Sequence, residues 1–253
     1  MLRRRIKDQI GTKVKLNRDE LHVWSARLDM GSQRSGMPER TLSADELARA
    51  GRFYFERDRH AFIGRRAILR DVLSAYLNMD PSELRFNLDE FGKPRLKGHR
   101  EGGDLSFNLS RSRGLVLVAV ALERDVGVDV EFIDSAVSSE EVAQRFFSAN
   151  EIAALNAIPE SLRLEAFFQC WSRKEAYIKA RGMGLSIPLD SFDVSLRPGE
   201  TIALLGSENS PGLPSCKIEN LEVDPQYAAA VAATGQNWKV VLRTWQSSVR
   251  APG

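Results

Sequence analysis

The chain has 253 residues, 43% of them hydrophobic and 28% charged, with a net charge of +2. That is enough core for one large or two small globular domains, it excludes an intrinsically disordered chain, and it gives no electrostatic ground for nucleic-acid binding. No run of about 18 apolar residues suggests a membrane span, and two distant cysteines, Cys170 and Cys216, offer neither zinc spacing nor a disulfide framework, so a reducing, cytoplasmic setting is expected.

Residues 1–21 read as a basic, solvated tail, with seven bases before Asp19 against the single acid Asp8. Residues 22–28 alternate as a first strand. Ser43 and Glu46 have capping-box spacing and open a helical region that runs to about Leu77, with a break near Gly51 or Gly64. Asp80-Pro81 starts a short turn, residues 84–88 a strand, and FGKPRL (91–96) a Gly/Pro loop. Residues 105–109 form another short strand. LVLVAVAL (115–122) is a strand buried on both faces. The polar triplet 123–125 then turns the chain into a second half, giving subdomains at 22–122 and 123–246 and a tail at 247–253. Helices are expected at 138–147, 150–157 and 160–180, the last ended by Gly182 and Gly184. The strands FDVSL, TIALL, KIENLEV, YAAAVAA and KVVLRTW follow.

Two stretches carry chemistry. In VGVDVEF (126–132), alternation puts the valines and Phe132 on one face and Gly127, Asp129 and Glu131 on the other. The two carboxylates are either the wet face of a half-exposed strand or a pair held together by a cation, for which hard oxygen ligands favour magnesium. Gly127 would then let a ligand approach the backbone. In the long helix, Leu164, Phe168, Trp171, Glu175 and Ile178 form a stripe, with Glu175 where an apolar residue is expected. Glu175 either pairs with Lys179 one turn on or binds metal beside Lys174 and Lys179. The histidines His22, His60 and His99 are scattered, so nucleophilic Ser/His or Cys/His chemistry is not expected.

In order, FGKPRL, FNLSRS (107–112), VGVDVE, RFFSANE (145–151) and FFQCWSRKEAYIKARGMGLSIPLDSFDV (167–194) resemble the Sfp-type 4′-phosphopantetheinyl transferases over about residues 22–233. The resemblance implies an α+β fold: a pseudo-twofold pair of similar subdomains, each a small, mostly antiparallel sheet packed with helices. It also implies coenzyme A in the cleft between them, Mg²⁺ on its pyrophosphate, and transfer of phosphopantetheine to a serine of an acyl or peptidyl carrier protein.

By the same resemblance, Asp129, Glu131 and Glu175 are the metal ligands, and Asp129, Glu175 and Lys179 are the catalytic set. Lys174 and Lys179 face the phosphates, and Glu151 holds water or supports the metal site. Arg57, Arg65, Gly92, Lys93, Pro94, Ser110 and Arg111 bind the coenzyme. Arg111 stands where the family usually has histidine; it keeps a permanent cation but cannot titrate near neutrality. A carrier protein would dock near residues 142–147, with one of Phe146 and Phe147 packed inward. A monomer is expected. Arg111 also leaves open a degenerate relative that binds coenzyme A or a carrier without transfer, and a different magnesium enzyme acting on nucleotide phosphates is a third reading.

Overall fold

The computed structural model describes residues 6–7, 13–28, 39–98, 104–196, 204–205 and 215–246. The expected tail at 247–253 and most of the TIALL strand lie outside these residues. The elements are β1 (Ile6–Lys7), β2 (Glu20–Arg27), α1 (Ala44–Ala50), α2 (Glu56–Leu77), β3 (Phe86–Leu88), β4 (Pro94–Leu96), β5 (Leu105–Ser112), β6 (Leu115–Leu122) and β7 (Val126–Phe132). Then come α3 (Ser139–Phe146), α4 (Ala149–Asn156), α5 (Glu160–Arg181), β8 (Asp193–Val194), β9 (Leu204–Leu205), β10 (Cys216–Asn220), β11 (Tyr227–Thr234) and β12 (Lys239–Thr244).

One arrangement occurs twice. A strand, a 22-residue helix and two further strands run as β2–α2–β5–β6, then as β7–α5–β10–β11. In both, the first strand pairs antiparallel with the last, which pairs antiparallel with the middle one, giving β2-β6-β5 and β7-β11-β10. This is the expected pseudo-twofold α+β pair.

The sheets stack face to face between the two helices. Leu21, Val23, Leu117 and Ala119 of one sheet meet Val126, Val128, Val130 and Val231 of the other in one apolar layer. The outer face of β6 packs Val116, Val118 and Val120 against Ile68, Leu69 and Val72 of α2. The outer face of β11 offers only Ala228, Ala230 and Ala232 to α5, so α5 lies close to its sheet.

Several expectations are corrected. β12, which falls in the expected C-terminal subdomain at 123–246, returns to pair in parallel with β2 and so adds a strand to the first sheet. The stretch read as a tail contains β1, which pairs with β12, and Val14 and Leu16 pack on the α2 core. Within FGKPRL, Pro94–Leu96 form β4, an edge strand that tolerates proline, and pair with β3. The long helical region breaks at Gly51, while Gly64 lies inside an unbroken α2. The capping box is present: the Ser43 amide donates to Glu46 Oε2 at 3.2 Å. α5 ends where expected, on Gly182 in the left-handed region at φ +70°. Among the described residues, no helix is long and apolar enough to cross a membrane, and both cysteines are free and buried.

Candidate active site

The acidic strand is not half-wet. Val126, Val128 and Val130 fill the inter-sheet core, and Asp129 on the opposite face is 1% exposed. On that face Gly127, Asp129 and Glu131 lie opposite Ala232, Ala230 and Ala228 of β11. The small residues let the last turns of α5 settle onto the strand. A Cβ at position 127 would lie 2.1 Å from the Ala176 carbonyl oxygen and 2.3 Å from the Ala180 nitrogen. Gly127 therefore admits the backbone of α5, not a ligand as its place in the sequence suggests.

That approach delivers Lys179 to Asp129. Lys179 Nζ donates to Asp129 Oδ1 at 2.6 Å and to Ser110 Oγ at 3.3 Å, and the Ser110 hydroxyl donates to the same Oδ1 at 2.8 Å. The other oxygen, Asp129 Oδ2, is buried with no hydrogen-bond partner. From β5, the Ser112 hydroxyl donates to Glu131 Oε2 at 3.1 Å. Asn108, Ser110 and Ser112 all project from β5 toward β7. Asn108 Oδ1 accepts the Val128 amide and Ser112 Oγ the Phe132 amide, each at 3.0 Å.

Glu131, Asp129 and Glu175 feel one another. Burial, then the Asp129 carboxylate, push Glu131 up to about 7, against the Ser112 hydroxyl and the Lys179 ammonium, with Glu175 adding to the rise. Burial also raises Glu175, which Lys179 lowers and Asp129 raises again. Three crowded carboxylates and one orphaned, buried carboxylate oxygen form a hard-oxygen donor set that fits magnesium. Among the described residues, no three such side chains already converge to enclose an ion, and the Lys179 ammonium covers Asp129 Oδ1.

Lys174 is elsewhere. It is 0% exposed and gives its protons to Glu151 Oε1 and Oε2 at 2.6 and 2.7 Å and to the Phe192 carbonyl at 2.6 Å. Glu151 also accepts the amides of Ser148 and Val194. So the residue buried on α5 is Lys174, while its neighbour Glu175 is half-buried, and the pair Glu151–Lys174 is a structural core ion pair that the apolar stripe did not reveal. Removing one partner of such a pair leaves a buried charge. Lys174→Met is expected to cost about 3–5 kcal/mol in urea denaturation, and adding Glu151→Gln should recover part of that loss.

The N-terminal half supplies cations. Arg65 is pushed down to about 10 by burial, then by Arg111, Arg49 and Arg66 around it. Arg49 and Arg65 both lie over the Phe62 ring, at 5.4 and 5.0 Å. Arg66 is paired with Glu46. Guanidinium groups stay charged near neutrality, so an anion bound here would relieve the crowding. Arg57 is not part of this group: it is exposed, lies over Phe55 at 5.3 Å and pairs with Asp58.

Gly92 takes φ +82° at the β3–β4 turn, which needs glycine there. Pro94 opens β4, and Lys93 turns inward to two carbonyls: Val126 O at 3.0 Å and Lys179 O at 2.6 Å. Phe147 is buried and stacks on Phe167 at 5.4 Å, while Phe146 is half-buried against Trp171. One inward and one partly exposed ring is the arrangement expected of this pair.

Residues 125–232 match the model of the 4′-phosphopantetheinyl transferase superfamily, and residues 36–123 match that of the 4′-phosphopantetheinyl transferase N-terminal domain. The 4′-phosphopantetheinyl transferase HetI of Nostoc sp. is 37% identical over 221 residues, covering 87% of this chain and 90% of that protein. The 4′-phosphopantetheinyl transferase Sfp of Bacillus subtilis is 36% identical over 193 residues, 76% of this chain and 82% of the relative. A solved holo-(acyl-carrier-protein) synthase from Bacillus anthracis is 18% identical with a TM-score of 0.37, over 44% of this chain and 94% of that one.

Proposed function

The chain belongs to the 4′-phosphopantetheinyl transferase superfamily, and from that premise we propose that it moves the 4′-phosphopantetheine group of coenzyme A onto a serine of an apo acyl or peptidyl carrier protein. The observation that carries the reading is the buried, unpartnered Asp129 Oδ2 beside Glu131, Glu175 and Lys179. In this reading Asp129, Glu131 and Glu175 hold Mg²⁺. When bound, the ion neutralises and orients the pyrophosphate.

The serine oxygen forms a bond to the β-phosphorus. The bond from that phosphorus to the bridging oxygen breaks, and adenosine 3′,5′-bisphosphate leaves with the electron pair. Glu175 takes the serine proton. Lys179 balances the charge that builds on the phosphates. Arg65 and Arg111, with Arg49 beside them, hold the nucleotide phosphates, which relieves their crowding. The carrier docks near Phe146, and the enzyme works as a cytoplasmic monomer.

The deciding experiment is intact-protein mass spectrometry of an apo carrier protein incubated with this protein, coenzyme A and Mg²⁺. A gain of one phosphopantetheine, lost with EDTA, is expected. No gain across several acyl and peptidyl carriers, from folded protein that still binds coenzyme A, would overturn transfer in favour of a binding relative. Steady-state kinetics check the arginines. Arg65→Ala and Arg111→Ala are each expected to raise KM for coenzyme A by about tenfold or more, the worth of one charge-assisted hydrogen bond. Arg111→His should keep activity.

A further inference from the structure

Lys93 belongs to the N-terminal half, yet its ammonium is spent on the C-terminal half. It is 8% exposed. Its two bonds join the carbonyl of Lys179, in the last turn of α5, to that of Val126, the first residue of β7. The Lys179 carbonyl is one of the four at a helix C-terminus that lack an intrahelical partner. The loop that carries Lys93 is itself fixed. Asp89 Oδ1 accepts the amides of Phe91 and Lys93, at 3.1 and 2.8 Å, and Arg95 ties Asp89 to Asp125 in the β6–β7 turn. The Lys93 stem passes over Gly182, where an added Cβ would lie 3.6 Å from Lys93 Cδ.

We propose that Lys93 is a positioning residue and not a phosphate ligand: it clamps the backbone of Lys179 to the start of β7 and so sets where the Lys179 side chain meets Asp129. The inference rests on the transferase reading of that site. Two of the three ammonium protons are committed to carbonyls, and a phosphate would have to pull the group out of a buried position. The clamp spans the two halves, so the β3–β4 loop sets the geometry of the Lys179–Asp129 pair through the backbone of Lys179 and Val126.

The test compares wild type, Lys93→Met and Lys93→Arg by carrier modification kinetics, thermal unfolding and calorimetric binding of adenosine 3′,5′-bisphosphate. Wild type that modifies no carrier refutes the transferase reading itself, whatever the variants do. With active wild type, Lys93→Met is expected to lower kcat at least tenfold, with KM for coenzyme A and nucleotide affinity within about twofold, and Lys93→Arg should restore part of kcat. A tenfold rise in KM with kcat kept would make Lys93 a phosphate ligand and overturn the proposal. A kcat that falls only as the folded fraction falls, with no recovery in Lys93→Arg, would reduce it to a stability role. If Lys93→Met does not fold, Lys93→Gln, which can reach one carbonyl but not bridge both, must show the same split between kcat and KM.

Discussion

Asp129→Ala is expected to lower carrier modification by at least about 100-fold, the scale of losing a group that holds the metal or stabilises transition-state charge. The side chain has three roles at once: it accepts from Ser110, accepts from Lys179, and keeps Oδ2 bare in a buried setting. Removing it frees Lys179 and deletes the central carboxylate of the three. Glu175→Ala should lose activity on the same scale, because it removes another proposed ligand together with the proposed base. Both are read by the mass gain of an apo carrier at saturating coenzyme A and Mg²⁺, with circular dichroism to show that the variants fold. Near-wild-type transfer in either variant would sink the metal assignment.

A second large effect is expected at Gly127. One methyl group there meets backbone atoms of Ala176, Lys179 and Ala180, none of which can rotate away. Overpacking against side chains costs about 1–3 kcal/mol, and a clash with helix backbone should exceed it. Gly127→Ala is therefore expected to cost more than about 3 kcal/mol, or roughly 10 °C in Tm for a chain of this size. Any protein that folds should also be nearly inactive, since α5 can clear the methyl only by carrying Glu175 and Lys179 away from Asp129. Unchanged Tm in differential scanning calorimetry would refute the close approach.

Much of this was legible in local pattern. The alternation in VGVDVEF separates the valine face from the acidic face, and an unbroken apolar run of strand length gives the strand at 115–122, now β6, which is buried from Leu115 to Ala121. What escaped depends on partners distant in sequence. Gly127 announces a missing side chain but not whether a ligand or a helix fills the space. The stripe on α5 misled because that helix is buried on most of its circumference: β7 and β11 cover one side, and α3, α4 and β8 approach the other. With little wet face left, period cannot decide which of Lys174 and Glu175 enters the core. β12 read correctly as a strand, yet nothing in its residues says that it pairs with β2. Lys93 was legible as a residue with a task, and the resemblance pointed to phosphate where the geometry shows two carbonyls.

The polar side of β5 has a consequence for how the two halves stay joined. The margin of β7 away from β11 is not bonded to a neighbouring strand; it lies buried beside β5, and its Val128 and Phe132 amides are met by Asn108 and Ser112 side chains. A buried amide left without an acceptor costs about 1–3 kcal/mol. Asn108 and Ser112 thus act as a seam between the halves, and Asn108→Ala with Ser112→Ala should lower the urea midpoint of unfolding by removing both acceptors at once.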